Sequence, residues 1–226
     1  MTNCKRFGAR ASLPQRVCIR RMTALALLTL ALTGCKVVSL QSPQVAFYDL
    51  GLVDAAAAPP PLAPARVEVV APSWLNGTAM QYRLAWKQPD RRRTYVESRW
   101  VAQPADMLAQ ALGRSLLGSI DSGNDVASRC RLRIDVDEFI QVFETEQRNH
   151  VQLVVRAQLL PPRGEFPLAV REFRRSDAAA SADAEGGVTA ARVAVRGLAS
   201  DLAGWLETLD RHAGQGLNSA GRCRPA

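Results

Sequence analysis

The side chains best suited to chemistry in this chain of 226 residues are five cysteines and two histidines. A thiolate can act as a nucleophile or form a disulfide, and an imidazole can move a proton or bind a metal. His150 lies where a polar turn meets a strand and His212 lies near the end of a helix, but neither belongs to a metal or nucleophile motif. GxSxG, HExxH, phosphate-loop and CxxC patterns do not occur. We therefore predict two surface histidines, no metal site and no catalytic residues.

A cluster of carboxylates at Asp135, Asp137 and Glu138 is the remaining candidate for acid–base work. Strand alternation puts Asp135 and Asp137 on one face and Glu138 on the other. We therefore interpret them as solvated positions of a strand and not as a catalytic pair.

The N-terminal segment explains most of the charge and suggests what Cys35 does. A basic region ends at Arg20-Arg21, and an apolar run from Met22 to Leu32 follows. Its eleven residues would span about 16 Å as a helix, roughly half a bilayer core. This pattern is typical of a secretory signal, which we place at residues 1–34.

Leu32-Thr33-Gly34-Cys35 resembles the bacterial lipobox, in which the cysteine is acylated and becomes the first residue of the mature chain. The alternative is a plain signal peptide with a chance cysteine. We predict that Cys35 carries a covalent lipid, which is the only prosthetic group we expect. The chain would then be membrane-anchored, face the periplasm and, because Lys36 follows the cysteine, belong to the outer membrane.

The net charge changes when this segment is removed. The whole chain has 29 basic and 21 acidic residues, whereas residues 36–226 have 23 basic and the same 21 acidic ones. The mature chain is thus near neutral, at +2, and we predict no nucleic-acid binding.

The mature chain also contains Cys130 and Cys223. The oxidising periplasm permits a disulfide between them, which we predict. The alternative is one buried thiol and one exposed thiol in the tail.

The secondary structure that would position these residues is an alternation of short strands with two helices. Residues 131–143 and 151–159 alternate and predict an antiparallel hairpin, with a bulge where the apolar phase slips near Phe139. Asn76-Gly77 indicates a further hairpin. Apolar residues at helical spacing predict one helix that starts near Pro104 and a second helix over 188–209. We predict an α+β fold, with a largely antiparallel sheet of about six strands and two amphipathic helices packed on one face.

Four regions follow from this pattern. They are the signal peptide at 1–34, the acylated N terminus and an Ala/Pro-rich linker at 35–65, the α+β domain at 66–211, and a flexible tail at 212–226.

Aromatic residues cluster early in the domain, at Trp74, Tyr82, Trp86 and Trp100. They are either core residues or a surface that binds a partner or lipid. The nearby Arg91-Arg92-Arg93 is either a charged hairpin tip or a contact for lipid head groups or an acidic partner.

The order of several segments resembles one family, the ABC-type transport auxiliary lipoproteins, which include the lipoprotein of paraquat-inducible (Pqi-type) systems. The resemblance covers residues 35–209 and rests on Cys35 followed by Phe47-Tyr48-Asp49-Leu50, Pro72-Ser73-Trp74-Leu75-Asn76-Gly77, Met80-Gln81-Tyr82-Arg83, Trp100-Val101-Ala102-Gln103-Pro104, Asp137-Glu138-Phe139-Ile140-Gln141-Val142-Phe143 and Gly204-Trp205-Leu206.

That resemblance implies a non-catalytic docking or conduit role in lipid transport across the cell envelope. The partners would be an MCE-domain protein and an ABC permease and ATPase, and the chain could form a homo-oligomer. Two alternatives are a lipoprotein that itself carries lipid and a structural lipoprotein of the envelope.

Overall fold

The computed structural model describes residues 44–52, 64–117, 130–211 and 223. The predicted signal peptide, Cys35, most of the linker, His212 and most of the tail lie outside these residues. Within the described residues, seven strands, one 3₁₀ turn and two helices follow each other as β1 (Ala46–Tyr48), β2 (Arg66–Val70), the 3₁₀ turn (Ser73–Leu75), β3 (Ala79–Leu84), β4 (Arg92–Trp100), α1 (Pro104–Leu117), β5 (Arg131–Phe143), β6 (Asn149–Leu160), β7 (Ala169–Ala178) and α2 (Ala184–Arg211).

All seven strands form one sheet, in the order β1-β4-β3-β5-β6-β7, with β2 beside the first half of β5. The long pairs β5–β6 and β6–β7 are antiparallel, as is β3–β4. The pairs β1–β4, β2–β5 and β3–β5 are parallel. The α+β class is confirmed, but the sheet is mixed.

The parallel pairs arise because β2 and β3 lie one after the other along the same edge of β5. Val67 is opposite Leu132 at one end, and Arg83 is opposite Val142 at the other. The hairpin predicted at Asn76-Gly77 is wrong, since the turn only moves the chain along β5. The strand at Ala46–Tyr48 lies within the span we assigned to the N terminus and linker, and it brings the sheet to seven strands.

The predicted bulge is present between Val136 and Glu138, where the β5–β6 register shifts. Asp135 is opposite Arg156 and Glu138 is opposite Val154, two positions that share a face of β6. Glu138 therefore lies on the same face as Asp135, contrary to our expectation. The extra residue in the bulge reverses the alternation beyond it.

The core lies between one face of the sheet and the two helices, which also contact each other. The fully buried side chains of α1 recur every four residues, at Leu108, Leu112 and Leu116. Leu198, Leu202 and Leu206 do the same on α2. Each leucine contributes roughly 1.5–3 kcal/mol by leaving water, so these two stripes fix the helices on the sheet.

Asp183 caps the N terminus of α2. Its Oδ1 accepts hydrogen bonds from the Gly186 N–H at 2.8 Å and from the Ser181 hydroxyl at 2.7 Å. The Gly186 bond, followed by the Ser181 bond, lowers the pKa of Asp183 below its ordinary value. In the described part of the chain, neither helix is long and apolar enough to cross a membrane.

A disulfide joins Cys130, directly before β5, to Cys223 near the C terminus. Both residues are fully buried, and their Cα atoms are 4.9 Å apart. The bond closes a loop with a sequence separation of 93, which contains three strands and α2.

Candidate functional site

The four aromatic residues singled out in the sequence have different surroundings. Trp100 is buried and stacks on Phe139 with ring centroids 5.6 Å apart, so it belongs to the core and not to a surface. Tyr82 is half-buried, whereas Trp74 and Trp86 are 54% and 46% exposed. Both of these exposed indole rings are therefore accessible to a partner.

Tyr82 and Trp86 lie at a cleft of about 320 Å³, at the end of the sheet where α2 begins. We call it the aromatic cleft, and it is lined by Tyr82, Leu84, Trp86, Tyr95, Phe143, Glu146 and Ala182. The Tyr82 ring lies 4.7 Å from the Tyr95 ring and meets the Phe143 ring edge-on at 5.8 Å. Aromatic pairs at these distances stabilise each other, so the walls of the cleft are preformed.

A buried polar network supports the aromatic cleft from below. The Tyr95 hydroxyl donates to Gln141 Oε1 at 2.9 Å, and Gln141 Nε2 donates to Asn149 Oδ1 at 2.5 Å and to the Asp183 carbonyl at 3.0 Å. Burial, together with the nearby Tyr82 and Asp183, raises the pKa of Tyr95 above its ordinary value, so its hydroxyl stays protonated as a donor. The network fixes the start of α2 against β4 and β5.

The opposite face of the sheet carries a charge cluster at this same end. Arg83 alternates with Tyr82 and Leu84 along β3 and so points away from the cleft. Glu138 pairs with Arg92 through two contacts of 2.7 and 3.0 Å and with Arg83 at 3.1 Å. The Arg92 guanidinium also lies 6.0 Å from the Trp74 ring centroid, a cation–π distance. A single carboxylate thus holds two arginines, and one of them, Arg92, lies beside an exposed tryptophan.

The turn between β3 and β4 carries further basic residues. Lys87 Nζ lies 5.7 Å from the Trp86 ring centroid, and Arg93 donates to the Gln88 side chain at 2.6 Å. No ion pair among the described residues involves Lys87, Arg91 or Arg93. The predicted charged hairpin tip therefore carries three cations that have no carboxylate partner in the described part of the chain.

The other candidate residues from the sequence, Asp135, Asp137 and His150, do not form a site together. Asp135 accepts from Arg133 at 2.9 Å and from Gln158 at 2.6 Å, and Asp137 contacts Arg156 at 3.3 Å. His150 has a side chain only 20% exposed, so it is less accessible than we predicted. Within the residues that the structure describes, no group of three or more His, Cys, Asp or Glu side chains could hold a metal ion.

Sequence reasoning missed Tyr95 and Phe143, which complete the aromatic cleft. Phe143 lies on the strand predicted at 131–143, but only the pairing of β3 with β4 and β5 brings both residues beside Tyr82. The arrangement as a whole places a preformed apolar cleft next to a basic hairpin.

A model of one protein family matches residues 48–203, well over half of the chain. This is the family described as ABC-type transport auxiliary lipoprotein component. The chain belongs to this family. The match extends from the end of β1 into α2 and includes every residue described for the aromatic cleft.

Solved structures show the same fold at low sequence identity. A Xanthomonas campestris protein of the DUF330 family is 20% identical with a TM-score of 0.59, and the alignment covers 76% of this chain and 99% of that one. An uncharacterised protein is 14% identical with a TM-score of 0.54, covering 72% and 99%. At these identities the likeness concerns the fold alone. No curated protein sequence matches the chain.

Proposed function

We propose that this chain is a lipid-anchored, periplasm-facing lipoprotein and a non-catalytic auxiliary component of an ABC/MCE-type system that moves lipid across the cell envelope. The family match over residues 48–203 carries the proposal, because it covers almost the whole sheet and most of α2. In this proposal Cys35 holds the chain to the outer membrane, and the transporter's permease, ATPase and MCE-domain protein are separate chains.

The aromatic cleft is the surface we assign to docking. Its rings are held in place by the Tyr95–Gln141 bond and by contact with Phe143 before any partner arrives. A preformed aromatic surface loses little conformational entropy on binding, and aromatic residues are enriched at interface hot spots.

The anchor is tested by growing cells with a palmitate analogue that can be detected on the purified protein. Wild type should incorporate the label, and Cys35→Ala should not. Cys18→Ala is the matched control, since Cys18 lies in the predicted signal peptide and is cut off with it, so its loss should leave the label unchanged. Continued labelling of Cys35→Ala would refute the anchor.

The transport role is tested by co-purification from detergent-solubilised envelopes. Wild type should retain an MCE-domain protein and an ABC permease, and Tyr82→Ser, which changes a cleft residue outside the hairpin end at 83–93, should retain less of both. Val193→Ser is the control, because Val193 is an exposed apolar residue of α2 away from the cleft. Equal recovery from both variants would remove the cleft from the docking role, and failure of wild type to retain either protein would count against the transport role.

A second candidate function, a lipoprotein that itself carries lipid, is favoured by one observation. The aromatic cleft has a volume of about 320 Å³ and is mostly apolar, as expected for a site that takes part of a lipid. Delipidated protein incubated with envelope lipids and then extracted would retain lipid in this case. An extract free of lipid would reject the carrier function.

A further inference from the structure

We propose that the β3–β4 hairpin end, defined as residues 83–93 with Trp74, docks on the anionic phospholipid surface of the membrane that holds the chain. The inference rests on the envelope location proposed above, and it assigns the domain a second membrane contact besides the lipid on Cys35. The contact would orient the aromatic cleft relative to the bilayer.

The first argument is the concentration of charge at this end. Residues 83–93 contain five basic residues and one acidic residue. Glu138 is the carboxylate that pairs with them, which leaves a net charge of +3. The mature chain as a whole carries +2, so its other residues sum to −1. Such an asymmetry orients a protein over an anionic surface.

The neighbouring turn between β5 and β6 changes the net charge of the hairpin end little. The Ala85 N–H donates to the Phe143 carbonyl at 2.8 Å, so this turn lies beside the hairpin end. Its Glu144 is paired with Arg148 at 2.6 Å, and Glu146 is its remaining acid. The hairpin end stays basic.

The second argument is the position of the two exposed tryptophans. Trp86 lines the aromatic cleft on one face of the hairpin, and Trp74 covers Arg92 on the other face. Indole rings favour the boundary between head groups and acyl chains, where the ring body is apolar and its N–H is hydrated. Trp86 lies near Lys87, which has no ion pair among the described residues and can contact phosphate at the same depth, whereas the Arg92 beside Trp74 is held by Glu138.

The third argument is the direction from which the chain enters the sheet. β1 runs parallel to β4, with Ala46 opposite Ser98, so the N-terminal end of β1 faces the hairpin end of the sheet. From Ser98 to Arg92 the strand covers six residues, about 20 Å. The eleven residues from Cys35 to Ala46 extend to at most about 40 Å. A lipid on Cys35 can therefore lie in the same membrane that the hairpin end contacts.

The membrane is favoured over an acidic protein because the exposed rings flank both faces of one hairpin. A bilayer surface can take up both rings at once, since it has no fixed shape to match. A folded partner would have to enclose the hairpin.

The test uses full-length protein that is purified from cell membranes and then inserted into lipid vesicles. The vesicles contain phosphatidylcholine with brominated acyl chains, either alone or mixed with an equal amount of phosphatidylglycerol. Bromine quenches tryptophan fluorescence on contact. Quenching is expected in the anionic vesicles and should fall as added salt screens the surface. In Trp74→Phe/Trp86→Phe, only the buried Trp100 and Trp205 remain, and quenching should be lost.

A charge variant separates the basic residues from the rings. Lys87→Gln/Arg91→Gln/Arg93→Gln should weaken the contact with the vesicle surface about 100-fold. Each basic residue near an anionic surface strengthens binding by a factor of about five, and the variant removes three of them. The matched control, Arg114→Gln/Arg163→Gln/Arg196→Gln, removes the same charge from exposed positions elsewhere and should behave as wild type. Far-UV circular dichroism checks that both variants are folded.

Several results would overturn the inference. Wild-type fluorescence that is not quenched would do so, as would equal quenching in the charge variant and its control. Loss of an acidic envelope protein from the charge variant, with vesicle quenching unchanged, would assign the surface to that protein instead. Palmitate labelling of the same preparation reports the anchor separately, and the quenching decides the hairpin contact whether or not the label is present.

Discussion

The hydroxyl of Tyr95 on β4 donates a hydrogen bond to Oε1 of Gln141 on β5, at 2.9 Å, although β3 lies between the two strands. The same Gln141 amide bonds to the Asp183 carbonyl where α2 begins. Gly187, in the first turn of α2, lies directly against this amide, and a Cβ atom there would overlap it. The floor of the aromatic cleft therefore depends on a glutamine that holds a strand and a helix end together.

Gly187→Ala should destabilise the protein by about 1–3 kcal/mol, since the added methyl group must displace Gln141 or α2. Gly204→Ala is the matched control. It lies on the same helix with no neighbouring atom within 4 Å of its would-be Cβ, so it should be neutral or stabilise by up to about 1 kcal/mol. Urea unfolding followed by tryptophan fluorescence measures both. Equal unfolding midpoints would show that the contact between Gly187 and Gln141 is loose.

Stability should fall at alkaline pH because of Tyr95. Burial raises its pKa in the folded state, so the folded protein holds this proton at pH values where the unfolded chain has lost it. The contribution is complete below about pH 10, the ordinary tyrosine pKa, and decreases as the pH rises above it. Tyr95→Phe removes this dependence. We expect the variant's unfolding free energy to fall less between neutral and alkaline pH than that of wild type. Parallel pH profiles would contradict the assignment.

The same substitution has a cost at neutral pH. Without the hydroxyl, Gln141 Oε1 loses its donor in a buried site, which destabilises by about 1–3 kcal/mol. Tyr82→Phe is the control, because the aromatic contacts described for Tyr82 are kept by a phenylalanine ring.

The residue pattern predicted the local elements and the antiparallel hairpin of β5 with β6, whereas it did not give the partners of β2 and β3. The alternation in 131–143 and 151–159 became β5 and β6, and the leucine spacing became α1 and α2. The parallel placement of β2 and β3 on one edge of β5 depends on contacts far apart in sequence, and the Asn76-Gly77 turn suggested a hairpin instead.

Strand alternation predicted the wrong face of the sheet for Glu138. The phase slip near Phe139 predicted a bulge, but alternation carried across that bulge put Glu138 on the wrong face. Its partners Arg83 and Arg92 lie more than forty residues away in sequence. Only the complete β3-β4-β5 arrangement brings the three side chains together.

Glu138→Gln should destabilise the protein by about 1–2 kcal/mol, because it leaves the two arginines without their carboxylate in a partly buried site. Asp137→Asn, one residue away, is the control. Its pair with Arg156 is longer, at 3.3 Å, and more exposed, so its loss should change the stability by less than about 0.5 kcal/mol. Thermal unfolding compares the two. A larger effect from Asp137→Asn would show that the cluster under Trp74 does not stabilise the hairpin.

The Cys130–Cys223 disulfide should contribute about 2–5 kcal/mol, since it restricts an unfolded loop with a sequence separation of 93. Cys130→Ser/Cys223→Ser should therefore unfold at lower urea concentration than wild type, and a reductant should lower the wild-type midpoint while leaving that of the variant unchanged. Thiol alkylation under denaturing conditions, followed by mass spectrometry, counts the free cysteines before and after reduction. If wild type shows both cysteines alkylated without reductant, the bond is absent from the purified protein. If the double variant matches wild type in midpoint while wild type is oxidised, the bond forms but does not stabilise the fold.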